Sequence, residues 1–77
     1  MSDAESQPGE PLAEPLTRRE RDVLRLLAQE QSASEIAHSL TLAVSSVKGY
    51  IQHLYGKLGV NSRQEAVSKA RALGLLA

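Results

Sequence analysis

The fold is decided by residues 32–58, SASEIAHSLTLAVSSVKGYIQHLYGKL, which carry two helical patterns separated by a short turn. In the second pattern, large apolar side chains recur every three or four positions, at Val47, Ile51, Leu54 and Leu58. This spacing places them on one side of a helix, because an α-helix completes a turn in about 3.6 residues. The sequence therefore predicts a helix from about residue 44 to residue 58 with one buried face.

The first pattern predicts a shorter helix that begins after Ser32. Ser32 and Glu35 have the spacing of a capping box, in which each side chain accepts a hydrogen bond from a backbone N–H at the start of a helix. The apolar residues that follow are predicted to point inward: Ile36, Ala37 and Leu40. The three residues 41–43, TLA, separate this helix from the next one and predict a tight turn.

Two more capping boxes predict one further helix on each side of this pair. Thr17 and Glu20 open the first helix, which is predicted to end near residues 29–31 and to bury Val23, Leu24 and Leu27. Ser62 and Glu65 open the last helix. This helix is predicted to run through Ala66, Val67, Ala70 and Leu73, and Gly74 is a suitable stop. We therefore expect an all-α, four-helix bundle.

A change of composition near Pro15 divides the chain into two parts. Residues 1–15 contain all three prolines and four acidic side chains, no Lys or Arg, and no apolar periodicity. Such a segment buries too little surface to offset its ordering entropy, so we predict a flexible linker or tail. Residues 16–77, the predicted folded domain, hold all nine basic and five acidic side chains, a net charge of +4.

Several classes of protein are disfavoured by composition. Without cysteine, the chain has neither disulfides nor a thiolate metal site. No apolar run approaches the roughly 20 residues of a membrane span, and the acidic start does not resemble a signal peptide. His38 and His53 lie on different predicted helices, and no glycine-rich phosphate loop occurs. We expect a soluble cytoplasmic protein that is not an enzyme and has no metal, cofactor or small-molecule ligand.

The two central helices and their turn have the arrangement of a helix-turn-helix, whose second helix enters the major groove of DNA. The side opposite the apolar face of that helix is predicted to be wet and basic, with Ser45, Ser46, Lys48, Gly49, Gln52, His53, Gly56 and Lys57. Lys48 can donate to guanine O6 and N7, and Gln52, one turn later, can pair with adenine. On spacing alone, an ordinary solvated helix face is the alternative.

Residues 16–76 resemble the LuxR-type (NarL/FixJ-type) DNA-binding domain of bacterial transcription regulators. The similarity is carried by LTRRERDVLRLLA, SASEIAHSL and SSVKGYIQHLYGKLGVNSRQEAV, which begin at residues 16, 32 and 45. The combination of T-x-R-E, V-K and K-L-G-V-x-S-R is more specific than a general helix-turn-helix pattern. The ending KARALGLLA is most similar to the MalT-like branch, whose members carry a large ATP-binding sensor ahead of this domain.

The resemblance implies a role for individual residues. The third helix becomes the recognition helix, with base contacts from Lys48, Gly49 and Gln52, to which we add Ser45 from the same exposed side. The implied phosphate contacts are Ser46, Tyr50, Lys57 and Arg63, to which we add His53. Arg63 begins the last helix, where free amides and the helix dipole favour an anion. The implied dimer contact lies on an exposed face of the last helix, at Glu65, Ala66 and Lys69.

Two positions depart from the family pattern. Ala43 stands where the family usually has a serine or threonine that caps the recognition helix, so this helix is expected to begin raggedly or at Ser45. Gly49 stands where a side chain usually reaches the bases, so sequence discrimination is expected to depend more on Lys48, Gln52 and DNA shape.

The expected function is sequence-specific binding of double-stranded DNA as the output domain of a bacterial transcription regulator. We expect a homodimer on two half-sites about one helical turn apart, weak in isolation, acting in the cytoplasm at the nucleoid. RNA polymerase is a candidate partner. The alternatives are a promoter-binding module like region 4 of a sigma factor, and a helical protein-interaction module that does not bind DNA.

Overall fold

The computed structural model describes residues 15–76, and these form four helices with no strand among them. The helices are α1 (Arg18–Ala28), α2 (Ala33–Leu40), α3 (Val44–Leu58) and α4 (Arg63–Ala72). The all-α prediction is confirmed, and α3 has the bounds that its apolar spacing predicts. The prediction of a linker or tail at residues 1–15 falls, apart from Pro15, outside the described residues.

Hydrogen bonds at the first two helix starts follow the predicted capping boxes. At α1, Glu20 N–H donates to Thr17 Oγ1 (3.1 Å), and Thr17 N–H donates to Glu20 Oε1 (2.9 Å). At α2, Ser32 and Glu35 exchange the same two bonds, at 3.1 and 2.8 Å. Because these bonds satisfy amides that the helix leaves unpaired, both helix starts are fixed by local sequence.

The third capping box is only half formed, which corrects the prediction for α4. Ser62 Oγ accepts the Glu65 N–H at 3.2 Å, as expected. The Glu65 carboxylate, however, accepts from the Asn61 N–H at 2.9 Å. The glutamate therefore satisfies the amide one residue earlier, in the α3–α4 loop. At its other end, α4 stops before Gly74, whose φ of 76° is the left-handed conformation that favours glycine.

The core is formed by one apolar face from each helix. Its largest fully buried side chains are Val23, Leu24, Ile36, Val47, Leu54 and Leu58. The remaining buried apolar residues are Leu16, Leu27, Ala37, Ala66 and Ala70, and Ile51 and Leu40 pack against them half-buried. Because α1 and α2 both pack on the apolar face of α3, its opposite face is left toward solvent.

A tight turn, residues 41–43, joins α2 to α3. The Leu42 N–H donates to the Ala37 carbonyl oxygen at 2.9 Å, which closes the end of α2. Thr41 adopts the left-handed conformation, with φ of 58°, which is uncommon for a β-branched residue. The local backbone geometry therefore defines the turn of the helix-turn-helix.

The start of α3 has no side-chain cap, as expected from Ala43, yet the helix begins at Val44. We predict that Ala43→Ser stabilises the domain by about 1 kcal/mol, because Ala43 already has the extended backbone that a capping serine needs. Urea unfolding would measure the gain. Ser32→Ala, which removes the existing cap of α2, should cost a similar amount; equal stability of wild type and Ala43→Ser would contradict the prediction.

Candidate nucleic-acid interface

One side of α3 is open to solvent and carries no acidic residue. Its exposed members are Ser45, Ser46, Lys48, Gly49, Gln52, His53 and Gly56. Neither Lys48 nor Gln52 has an ion pair or hydrogen bond with a residue in the described range 15–76. Their donor groups are therefore available to an external partner, such as the edge of a base.

A shallow recess of about 350 Å³ lies on this side of α3. It is lined by Ser46, Gly49, Tyr50, Gln52 and His53. The structure thus brings together two predicted base-contact positions and three predicted phosphate-contact positions. Tyr50 is half-buried and packs against the core, so its ring forms one edge of the recess.

Gly49 and Gly56 are not required by packing inside the domain. Apart from the neighbouring backbone of its own helix, a Cβ atom built at either position meets nothing within 4 Å. Each glycine costs a helix on the order of 1 kcal/mol relative to alanine. Close approach of another molecule to α3 would account for two such residues on its exposed side.

Lys57 does not lie on the solvent-facing side, which corrects its predicted place. Its side chain is only 16% exposed, and Nζ donates to Glu20 Oε1 at 2.7 Å and to the Pro15 carbonyl oxygen at 3.1 Å. The reason is electrostatic, because a buried carboxylate needs a nearby cation. A phosphate contact from Lys57 would have to form beside these bonds or replace them.

Glu20 has a second role beyond its capping box. Its side chain is 3% exposed, and its Oε2 lies 3.8 Å from His53 Nδ1 on the open side of α3. Burial raises the pKa of the Glu20 carboxyl, but the bonds from Lys57 and Thr17 and the charge of Lys57 outweigh burial and lower that pKa overall. The ionised carboxylate therefore links the start of α1 to α3.

The buried role of Glu20 was missed because the capping box already accounted for the residue. The signal in the sequence that indicates this buried role is the spacing of Glu20 from the apolar residues of α1. Glu20 lies three and four residues before Val23 and Leu24, on the inner face of α1. An acidic residue in that register must be paired when the helix packs.

Arg63 begins α4, as predicted, and its side chain is half-buried. The guanidinium Nη2 donates to the Gln31 carbonyl oxygen at 3.0 Å, so Arg63 joins α4 to the loop between α1 and α2. Burial raises the pKa of the nearby Tyr55 phenol, and the charge of Arg63 opposes that rise. Arg63 thus has a structural bond whatever it contacts outside the domain.

Ala66 cannot belong to an exposed dimer face, because it is fully buried against the core. The expectation that it is exposed is wrong. Its side chain lies on the same side of α4 as Ala70, and the small size of both lets α4 approach its neighbours closely. Glu65 and Lys69 are exposed, and Ser68 and Ala72 share their outward side.

Another recess, lined by several arginines, lies on the outward side of α1. It has a volume of about 670 Å³ and is lined by nine residues, which are Arg18, Arg21, Asp22, Arg25, Ala28, Gln29, Arg71, Leu75 and Leu76. The arginines of α1 point away from the face that packs on α3. This recess is therefore separate from the open side of α3.

Residues 15–76 form neither a cluster of metal ligands nor a membrane-spanning helix. No three His, Asp or Glu side chains come together there as metal ligands would. In the same part of the chain, no helix is long and apolar enough to cross a membrane.

Comparison with known families decides the class of the domain. Residues 14–70 match the family described as bacterial regulatory proteins, luxR family. The chain belongs to the LuxR family. This LuxR-family domain is a DNA-binding helix-turn-helix of the kind found in transcription regulators, which sets aside the sigma-factor and protein-interaction alternatives.

Curated relatives place the domain near the MalT branch. Over 59 residues the chain is 48% identical to the HTH-type transcriptional regulator MalT of Yersinia pestis (strain Pestoides F), and equally to that of Serratia proteamaculans (strain 568). The match covers 77% of this chain but only 6% of either regulator. The similarity therefore concerns the helix-turn-helix segment and not the rest of MalT.

Solved structures share the arrangement of the four helices. The response regulator ChrA of a heme-sensing two-component system aligns with a TM-score of 0.78 at 35% identity, over 80% of this chain and 31% of ChrA. The transcription factor GerE aligns at 0.75 and 34% identity, over 80% of this chain and 92% of GerE. VqmA of Vibrio cholerae, solved as a ligand–DNA complex, aligns at 0.73 and 31% identity, over 79% of this chain and 27% of VqmA.

Proposed function

We propose that this domain reads DNA by placing the open side of α3 in the major groove, as the output domain of a bacterial regulator. The observation that carries the proposal is the acid-free side of α3, where Lys48 and Gln52 have no partner among residues 15–76. A helix fits the major groove, and its exposed side chains meet base edges there. The structural relative VqmA was solved as a complex with DNA, which supports DNA as the partner of this fold.

Within that mode, the two sets of predicted contacts have different tasks. Lys48, Gln52 and Ser45 face the bases, and Gly49 lets the helix sit close to them. Phosphates are contacted beside the groove by Ser46, Tyr50, His53 and Arg63. Lys57 holds the Glu20 carboxylate, and its phosphate contact would form beside that ion pair. Base contacts give sequence preference, and phosphate contacts give affinity and orientation.

We further propose that two copies bind DNA together through the outward side of α4. That side carries the exposed residues Glu65, Ser68, Lys69 and Ala72. Ala66 is left out of the proposed dimer contact because its side chain is buried. A two-fold axis brings the same patch of both copies together, so Glu65 of each copy can approach Lys69 of the other. The small patch favours weak pairing that DNA completes. Such a regulator would act at the nucleoid, with RNA polymerase as a candidate partner.

Selection of bound duplexes from a random-sequence pool at low salt tests the function. Enrichment of two inverted half-sites about one helical turn apart would support both DNA reading and pairing. Enrichment of one half-site would support DNA reading and contradict pairing by this domain alone. A folded domain that enriches no motif would contradict the proposal.

Arg63→Ala is expected to weaken binding by a similar factor on all sequences and to reduce the slope of log K against log salt by about one. The reason is that a phosphate contact releases counterions but carries no base information. Binding titrations at several salt concentrations would measure the slope.

Arg71→Ala is the matched control, because Arg71 is an exposed cation on the same helix that is assigned neither to phosphate nor to the proposed dimer contact. Its slope should equal that of the wild type. If Arg63→Ala lowers stability without changing the salt slope, Arg63 serves only its bond to Gln31.

A further inference from the structure

Val44 is the only large apolar side chain that is exposed among residues 15–76, at 38%. It is the first residue of α3, the proposed recognition helix. Recognition helices of helix-turn-helix proteins contact base edges with their N-terminal residues. An isolated exposed valine is ordinary elsewhere on a surface, but this one lies at the end that enters the groove.

Val44 belongs to the same row as the two proposed base readers. Val44, Lys48 and Gln52 are four residues apart, so they follow one another along one side of the helix. Each step advances about 6 Å along the helix axis. That distance is close to the separation of two base pairs, at about 3.4 Å each, so the three side chains can meet different base pairs.

The chemistry of Val44 matches one feature of the major groove. The C5-methyl group of thymine is the apolar group on the base edges there, and aliphatic side chains contact it. We propose that Val44 reads a thymine methyl group beside the bases read by Lys48 and Gln52. This inference rests on the proposed function and adds a specificity-determining residue to it.

The local fold does not explain a valine at this position. Val23 and Val47 are fully buried in the core, whereas Val44 is not part of the core. Valine is also a weaker helix former than alanine or glutamate, and the preceding Ala43 provides no cap. Contact with a methyl group would bury side-chain surface that the free domain leaves in water.

The test removes single methyl groups from the DNA. Each thymine of the selected half-site is replaced in turn by deoxyuridine, and affinity is measured for the full wild-type chain, Val44→Ala and Val44→Thr. At one position, wild type should lose about fourfold, as expected for one buried methyl group. Val44→Ala should bind the thymine duplex more weakly and show no further loss with deoxyuridine. Val44→Thr, which keeps one methyl group and nearly the same shape, should keep the sensitivity.

Lys48→Ala is the matched control, because it weakens binding while leaving Val44 in place. It should keep the wild-type sensitivity to deoxyuridine. If wild type and Val44→Ala respond alike at every thymine of a site that both bind, the inference is overturned while the proposed function stands. If no site can be selected, the proposed function fails first, and the inference with it.

Discussion

Lys57→Met is expected to destabilise the domain by about 3 kcal/mol at neutral pH. Removing one partner of a buried ion pair leaves the other charge uncompensated, which costs about 3–5 kcal/mol; partial exposure of Lys57 places it at the lower end. Glu20 would keep the Thr17 amide as a donor, with His53 at 3.8 Å. Urea unfolding at pH 7 would measure the loss, a large part of the total stability of so small a domain.

The same variant should respond to pH in the opposite sense to the wild type. In the wild type, the pKa of Glu20 lies below its unfolded value, so its stabilising contribution is present above that value and is lost as pH falls through the folded pKa. In Lys57→Met, burial would raise the pKa of Glu20 above the unfolded value. Protonation then relieves the buried charge, so the stability difference should shrink between pH 7 and about pH 4.5.

Two comparisons separate this effect from a general loss of packing. Glu20→Gln combined with Lys57→Met contains no buried charge and should be more stable than Lys57→Met alone. Lys69→Met, at an exposed position of α4, should change stability by less than about 0.5 kcal/mol. A stability difference for Lys57→Met that does not change with pH would show that the charge of Glu20 is not its cause.

The fold was predictable because its signals are local. Capping residues fix where α1 and α2 begin, and the spacing of Val47, Leu54 and Leu58 gives both the length and the inner face of α3. Each signal involves residues within one or two turns of each other. A helix needs no distant partner to express them, so the sequence alone is enough to place it.

The corrections at Lys57 and Ala66 concern packing between helices. Lys57 and Glu20 are 37 residues apart in sequence, and Arg63 and Gln31 are 32 apart. A helical wheel places Lys57 near the border of the exposed side but does not show which way a long side chain turns. Ala66 was misplaced because an alanine suits both a tightly packed interior and a small exposed patch. Such choices depend on tertiary packing.

The open side of α3 was predictable because it depends little on tertiary packing. Apart from His53, which approaches Glu20, its exposed residues form no ion pair or side-chain hydrogen bond with the rest of residues 15–76, so the helical period determines where they point. Val44 was not among the predicted contacts, because sequence pattern assigns a valine to the core by default. Only its exposure in the folded domain reveals its position beside Lys48.

Lys48→Ala is expected to cost about 1–3 kcal/mol on the selected half-site and to abolish the preference for one guanine. The reason is geometric as well as electrostatic, because a lysine in the groove can donate to both O6 and N7 of guanine. Lys48 is exposed and has no partner among residues 15–76, so its loss should leave folding unchanged. Affinities for the selected site and its single-base variants, measured for both proteins, give the result.

The distinction from a simple loss of charge lies in which sequences are affected. If Lys48 acted only through its charge, Lys48→Ala would weaken binding to every duplex alike, as expected for Arg63→Ala, and the ranking of sites would not change. Lys48→Arg provides the matched control, since its guanidinium can also donate to guanine O6 and N7 and should keep the preference. An unchanged ranking in Lys48→Ala would remove Lys48 from base reading and leave Gln52, Val44 and DNA shape to supply the specificity.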